Sequence, residues 1–161
     1  MKEEYSCYNT PMNTSILITI VSIIAAGLLA AFTVFLLRRG KRVRPSDIDL
    51  MEGHDFEYYC AELLKQHGFQ EVEVTRGSGD YGIDILAEKE GVTYAIQCKC
   101  YAAPVGVKAV QEAYAGRDYY DRMVGAVLTN QYFTQPAVEA AKKLKILLWD
   151  RGYLESMLEE S

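Results

Sequence analysis

The stretch "GSGDYGIDILAEKEGVTYAIQCKC", residues 77–100, joins a glycine-rich loop to two segments in which apolar and polar residues alternate. Alternation with a period of two is typical of β-strands that bury one face. The dipeptide Glu90-Gly91 lies between the two segments and fits a two-residue hairpin loop. We therefore predict two antiparallel strands in a register that pairs Lys89 with Val92.

This register also decides which polar side chains meet. Continued along the hairpin, it places Asp84 opposite Gln97, with Lys99 on the diagonal. Gln97 and Lys99 share one face of their strand because side chains alternate, whereas Cys98 and Cys100 point to the other face. A C-x-C pair without a second cysteine or histidine pair is poor zinc spacing. The pattern therefore predicts a polar trio on one face and two packed thiols behind it.

The three glycines of the loop, Gly77, Gly79 and Gly82, match the G-x-G-x-x-G pattern of dinucleotide-binding proteins. That motif works because a helix follows the glycines and directs its N-terminus at the pyrophosphate, whereas here a strand follows. No Gly-Lys-Ser/Thr sequence follows either, which excludes a P-loop. We interpret the segment as a turn between strands.

The rest of the chain extends this pattern in both directions. An amphipathic helix, "FEYYCAELLKQHGF", follows a polar linker that starts at Pro45, and Asp55 is its N-cap candidate. The strand "QEVEVTR" precedes the glycine loop, and the strand that follows the loop starts at Ile83. A helix "VGVKAVQEAYAGRDYY", a strand "MVGAVLTN", a helix from Pro136, a strand "ILLWD" and a short helix complete the chain. The order predicts an α/β domain with an αβββαβ core.

The N-terminal part contains an uncharged run from Thr14 to Leu37, which exceeds the ~20 residues that a helix needs to cross a bilayer. A signal peptide would have a basic beginning and a shorter apolar core. The basic run "RRGKRVR" follows at residues 38–44, so the positive-inside rule places everything after it in the cytoplasm. The predicted organisation is a short extracytoplasmic N-terminus (1–13), a transmembrane helix (14–37), a basic juxtamembrane linker (38–47) and a cytoplasmic domain (48–161).

The cytoplasmic part is acidic. From Ser46 to Ser161, acidic residues outnumber lysines and arginines by 9, which weighs against a broad basic surface for nucleic acids. Positive charge is nevertheless available at Arg76, Lys99 and Lys108. Three cysteines in reducing cytosol imply no disulfide framework.

Three motifs resemble the Mrr-type restriction endonuclease domain of the PD-(D/E)XK nuclease superfamily. They are a helix that carries Glu57 in "DFEYYCAELL", the S-G-D-x-G-x-D pattern of residues 78–84, and Q-x-K at Gln97 and Lys99. The resemblance extends from Ile48 to Tyr153. It implies a restriction-endonuclease-like fold with a mixed central sheet flanked by helices, and a Mg²⁺-dependent DNA endonuclease in which Mn²⁺ can substitute. A glutamine in place of the carboxylate of most superfamily members is normal for Mrr-type sequences.

The resemblance assigns catalytic roles to Asp84, Gln97 and Lys99. Asp84 is the expected metal anchor, the side-chain carbonyl of Gln97 is a second metal ligand, and Glu57 is a third ligand through water. Lys99 would either position or deprotonate the attacking water, or stabilise the phosphate in the transition state. Both roles for Lys99 are open.

For each of the other candidate positions, two roles are possible. Asp80 either caps the glycine loop, which the local pattern favours, or contacts the metal. Glu57 is a metal ligand or a solvated charge that the helix dipole favours. Gln111 and Glu112 lie in a "VQE" segment that resembles the family, and they either support the site or face solvent.

The expected function is therefore a membrane-anchored endonuclease of restriction or DNA-processing type. We expect the available length to be too short for a separate recognition domain, so a second copy or a partner chain would supply target recognition. The alternative is a non-catalytic DNA- or protein-binding module tethered to the membrane, which metal binding at the site would distinguish. RNA, repair or junction-resolving activity is a weaker third possibility, since the superfamily spans those substrates.

Overall fold

The computed structural model describes residues 14–38, 45–75 and 81–159, and the chain divides into two compact units, residues 1–42 and 43–161. The described part of the first unit is one helix, α1 (Thr14–Arg38). Within it, Ser15–Thr33 is long and apolar enough to cross a membrane, although a signal sequence near an N-terminus meets the same two criteria. The predicted N-terminal segment 1–13 and most of the basic run lie outside the described residues.

The second unit alternates helices and strands in the predicted order. Its helices are α2 (Pro45–Ile48), α3 (Gly53–Gln66), α4 (Val107–Tyr119), α5 (Gln135–Leu144) and α6 (Arg151–Glu159). Its strands are β1 (Gln70–Val74), β2 (Ile85–Lys89), β3 (Val92–Lys99), β4 (Val124–Thr129) and β5 (Ile146–Trp149). The αβββαβ core is therefore confirmed, with α5, β5 and α6 added after it.

In the described part of the chain, the strands form one sheet in the order β1-β2-β3-β4-β5. β1, β2 and β3 pair antiparallel, whereas β3, β4 and β5 pair parallel. Parallel neighbours need a crossover, and α4 and α5 supply the two that this topology requires. The sheet is mixed, and β3 is its central strand.

The hairpin of β2 and β3 has the predicted register. Its pairs run from Lys89↔Val92 to Ile85↔Ile96 without a shift. Glu90 (φ 54°) and Gly91 (φ 77°) form the two-residue loop, and both have the positive φ that a type I′ turn requires. The register is therefore set locally, by the turn.

Two apolar cores lie on opposite faces of the sheet. On one face, α3 and α6 cover a cluster that includes Ile96 and Cys98 of β3. On the other face, α4 and α5 cover a cluster that includes Val127 of β4, the register partner of Gln97. Successive residues of β3 therefore point to different helices.

Three predicted boundaries were wrong. Helix α3 begins at Gly53 with Glu52 as its N-cap, not at Asp55, because Phe56 N already donates to Glu52 O at 3.0 Å. The predicted polar linker contains the short helix α2, since Ile48 is buried in the core. Strand β2 begins at Ile85, two residues later than predicted.

Candidate active site

Asp84 lies immediately before β2 and is fixed against β3 by two hydrogen bonds. Its backbone N–H donates to Ile96 O at 2.9 Å, and its Oδ2 accepts from the backbone N–H of Cys98 at 2.6 Å. Ile96 and Cys98 flank Gln97 in the sequence. A short bond from a backbone N–H to a carboxylate is among the stronger hydrogen bonds in proteins. The Asp84 carboxylate is therefore held beside Gln97.

Gln97 lies in the interior of β3 and is 1% exposed. Its Oε1 atom is buried and has no hydrogen-bond partner among the described residues. A buried oxygen without a partner costs about 1–3 kcal/mol, so such atoms often serve a function. The oxygen is suited to bind a cation or a proton donor.

Lys99 ends β3, and its side chain is 20% exposed. Its Nζ atom lies 3.5 Å from Oε2 of Glu112 on α4, whose Oε1 lies 3.6 Å from Nζ of Lys108. The three side chains line an open cavity of about 210 Å³ together with Tyr101, Val105, Gly106 and Ala109. Lys99 therefore places a positive charge in a cavity large enough for a phosphate group.

The surroundings of Gly82 show why this position of the loop requires a glycine. It has φ +78°, and a β-carbon at this position would lie 3.0 Å from Cβ of Glu112 and 3.5 Å from Nε2 of Gln97. Both the backbone conformation and the close approach favour glycine. The end of the loop thus packs directly against two residues of the site.

The remaining predicted residues are placed differently. Glu57 lies on α3, across the sheet from α4, and its Oε2 is 3.0 Å from Nδ1 of His54. Gln111 is exposed on α4. Asp80 and Arg76 lie outside the described residues. The structure therefore places Asp84 beside Gln97, on a strand that ends at Lys99. Glu57 lies on α3, near enough to Cys98 for its carboxylate, like that of Asp84, to act on that thiol.

The thiols behind the site belong to the core. A hydrogen bond with Cys60 and burial raise the pKa of the Cys98 thiol, and the carboxylates of Asp84 and Glu57 raise it further. Burial likewise raises the pKa of Cys100. Cys98 belongs to the cluster that α3 and α6 cover, and Cys100 packs against it, so both thiols share the face that the alternation predicts.

The site has donors that fit a hard divalent cation. Across the described ranges, no three His, Cys, Asp or Glu side chains form a metal-binding group. A metal here would use the Asp84 carboxylate and the Gln97 amide oxygen, and water would complete its coordination shell. Mg²⁺ prefers oxygen ligands and keeps several waters, so the residues present fit it.

Glu112, for which the sequence left two alternatives open, does not simply face solvent: its carboxylate pairs with Lys99 as well as with Lys108, as a supporting residue would. Another feature, away from the site, had no signal in the sequence. Beyond the ends of β3 and β4, Arg151 donates two hydrogen bonds to Asp49 at 2.8 and 2.9 Å, and Asn130 Nδ2 donates a third at 2.9 Å. This network ties α6 to the segment between α2 and α3.

Residues 48–158 match the Mrr-type restriction endonuclease family, and the chain therefore belongs to that family. No curated protein matches it in sequence. Among solved structures, it is similar to a protein of unknown function, AF1548, at 26% identity and a TM-score of 0.58. That match covers 68% of this chain and 66% of AF1548.

Two restriction endonucleases share the fold at 20% identity. MspJI, solved in complex with a 27-mer oligonucleotide, has a TM-score of 0.51, and the DNA modification-dependent AspBHI has a TM-score of 0.52. The matches cover 65% and 66% of this chain, but only 27% of MspJI and 30% of AspBHI. The chain thus corresponds to about a third or less of either enzyme.

Proposed function

We propose that the second unit is a divalent-metal-dependent DNA endonuclease that hydrolyses phosphodiester bonds. The observation that carries the proposal is the buried Oε1 of Gln97, which lacks a partner among the described residues. Gln97 lies on β3, the strand that hydrogen-bonds the Asp84 carboxylate through Cys98 N and ends at Lys99. Family membership supports nuclease chemistry. The fold shared with AspBHI, a DNA modification-dependent restriction endonuclease, supports DNA as the substrate class.

Each of the three side chains has a distinct task in this proposal. A bound Mg²⁺ would supply positive charge at the phosphate and a more acidic water. The hydrogen bond from Cys98 N holds the Asp84 carboxylate in a fixed orientation, and Gln97 presents an amide oxygen. Lys99 provides a positive charge in the cavity, where it either stabilises the phosphate or holds the attacking water.

The direct experiment measures metal binding and cleavage with the full chain in detergent. We expect calorimetric binding of Mg²⁺ or Mn²⁺, nicking or cutting of plasmid DNA with either ion, and loss of cleavage with a chelator. Asp84→Asn should weaken metal binding, whereas Glu88→Gln on the same hairpin should not. Absence of both metal binding and cleavage of duplex, single-stranded or modified DNA would contradict the proposal.

The second candidate function is a non-catalytic module that binds DNA or a partner protein. The acidic excess of 9 charges from Ser46 onward and the pairing of Lys99 with Glu112 favour a protein partner for such a module, because both reduce the positive charge available to a phosphate. A folded chain that binds DNA but neither binds metal nor cuts would support the module over the enzyme.

We also propose that α1 anchors the protein in a membrane with the nuclease domain in the cytoplasm. The uncharged run and the arginines and lysines on one side of it support this orientation. Protease added to sealed inside-out vesicles should digest the domain, and complete protection would contradict the orientation. We further propose that a second copy or a partner chain contributes to target recognition.

A further inference from the structure

We infer that Glu112 is a positioning residue, which holds the amine of Lys99 in place for hydrolysis. The inference rests on the proposed nuclease function and adds a residue that the catalytic trio does not include. It starts from the two ion pairs of Glu112, in which one oxygen faces Lys99 and the other faces Lys108.

The two ion pairs differ in their surroundings. The Lys99 and Glu112 side chains are 20% and 30% exposed, whereas Lys108 is 87% exposed. Water and salt screen a pair with a fully solvated partner more strongly than a partly buried pair. The contact with Lys99 is therefore the more persistent of the two, and Lys108 contributes mainly charge.

Glu112 is itself held in place from two sides. Its neighbours on α4, Val110 and Ala113, are fully buried against the sheet, which fixes the helix. The backbone of Gly82 packs against its stem, so closely that a β-carbon would be 3.0 Å from Glu112 Cβ. The carboxylate is thus presented to Lys99 by a fixed helix and by the backbone of Gly82.

Lys99 needs such a partner because a lysine amine is a point charge on a flexible four-carbon stem. A displacement of about 1 Å of a reacting group can cost up to ~100-fold in rate. The ion pair restricts the amine to the cavity that both residues line. Loss of the carboxylate should therefore reduce turnover more than it affects substrate affinity.

The test compares Glu112→Gln with Glu62→Gln in the full chain in detergent. Glu62 is a matched control because it also pairs with a lysine, Lys65 at 2.6 Å, on the solvent side of α3. We expect Glu112→Gln to lower kcat about 10-fold with KM changed less than about twofold, whereas Glu62→Gln keeps wild-type values. Glu112→Asp, which keeps the carboxylate, should recover part of the loss.

A second readout does not depend on activity. Acylation of lysines, followed by mass spectrometry, should proceed about 3-fold faster at Lys99 in Glu112→Gln than in the wild type, because the amine is released from its partner. The Glu62→Gln variant should leave the rate at Lys99 unchanged. Gly82→Ala, which displaces Glu112, should alter Lys99 acylation and kcat in the same direction as Glu112→Gln.

The outcomes separate this inference from the proposed function. Wild-type kcat in a folded Glu112→Gln chain, or unchanged acylation of Lys99, overturns the positioning role while leaving the nuclease proposal intact. If the wild-type chain cuts no DNA, the nuclease proposal fails. The acylation rates alone then decide whether Glu112 holds Lys99.

Discussion

The two faces of β3 are built from alternating residues of one strand, yet they differ in how their polar atoms are satisfied. Towards α3 and α6, Cys98 is 6% exposed and packs among apolar side chains with Cys60. Towards α4, Gln97 is 1% exposed but has a buried oxygen without a partner among the described residues. Burial is similar on both faces, so burial alone does not identify the site.

The difference shows how one strand supports both stability and chemistry. The face towards α3 and α6 contributes apolar burial, which stabilises the fold. The face towards α4 holds the unsatisfied oxygen of Gln97, which costs free energy unless a ligand compensates it, and a lysine whose charge is paired with Glu112. Substitutions on the two faces should therefore have opposite kinds of effect.

The largest effect should come from Lys99→Ala on the site face. Under the proposed nuclease function, loss of the Lys99 charge should lower kcat by ~100-fold or more and leave the melting temperature nearly unchanged. Cleavage assays and thermal unfolding measure the two quantities. Lys65→Ala, on the exposed side of α3, is the matched control and should cut DNA at the wild-type rate.

Gln97→Leu should separate stability from function at a single position. An apolar side chain of similar size removes the unsatisfied oxygen, so the metal-free protein should gain about 1 kcal/mol in free energy of unfolding. The stabilisation that Mg²⁺ gives the wild type should disappear. Thermal unfolding with and without the ion tests both, and Gln70→Leu on exposed β1 serves as control. A destabilised Gln97→Leu that still binds metal would contradict this account.

Cys98→Ala on the other face should show the reverse pattern. Loss of a small buried group should cost on the order of 1 kcal/mol or more in free energy of unfolding and leave metal affinity unchanged. Chemical denaturation and calorimetry provide the two measurements. Loss of metal binding in a folded variant would instead show that the Cys98 thiol is a metal ligand, and that the two faces of β3 do not differ in function.

The smallest effect is expected away from both faces, at Asp49. Hydrogen bonds from Arg151 hold the pKa of Asp49 below its ordinary value of 3.8, although burial opposes them. A lowered folded-state pKa stabilises the protein above the ordinary pKa, and this stability is lost as the pH falls through the folded-state value. Asp49→Asn should therefore cost about 1 kcal/mol or less at pH 7, because the pair is partly exposed.

The dependence of the free energy of unfolding on pH, measured in acid, tests this prediction. Between about pH 5 and pH 2, the free energy of unfolding should fall less steeply in Asp49→Asn than in the wild type. Equal slopes would show that the Arg151 network contributes nothing through ionisation.

Much of the fold could be predicted because its signals are local. The uncharged run predicts the long helix α1, alternation predicts β2 and β3, and the Glu90-Gly91 turn predicts their register. The same register and the family motif select Asp84, Gln97 and Lys99 for the site. The start of α3 was predicted wrongly. Its N-cap, Glu52, has an extended backbone but makes no capping hydrogen bond with its side chain, so no typical capping residue marks this boundary in the sequence.

The sequence by itself thus determined the order of helices and strands and the hairpin, and it selected Asp84, Gln97 and Lys99 as candidate site residues. Only the tertiary structure decided that Glu112 forms an ion pair with Lys99, that Gly82 packs against Glu112, and that Arg151 forms an ion pair with Asp49. These contacts join residues far apart in the chain. They depend on how helices dock on the sheet, whereas periodicity specifies only which face of each element is buried.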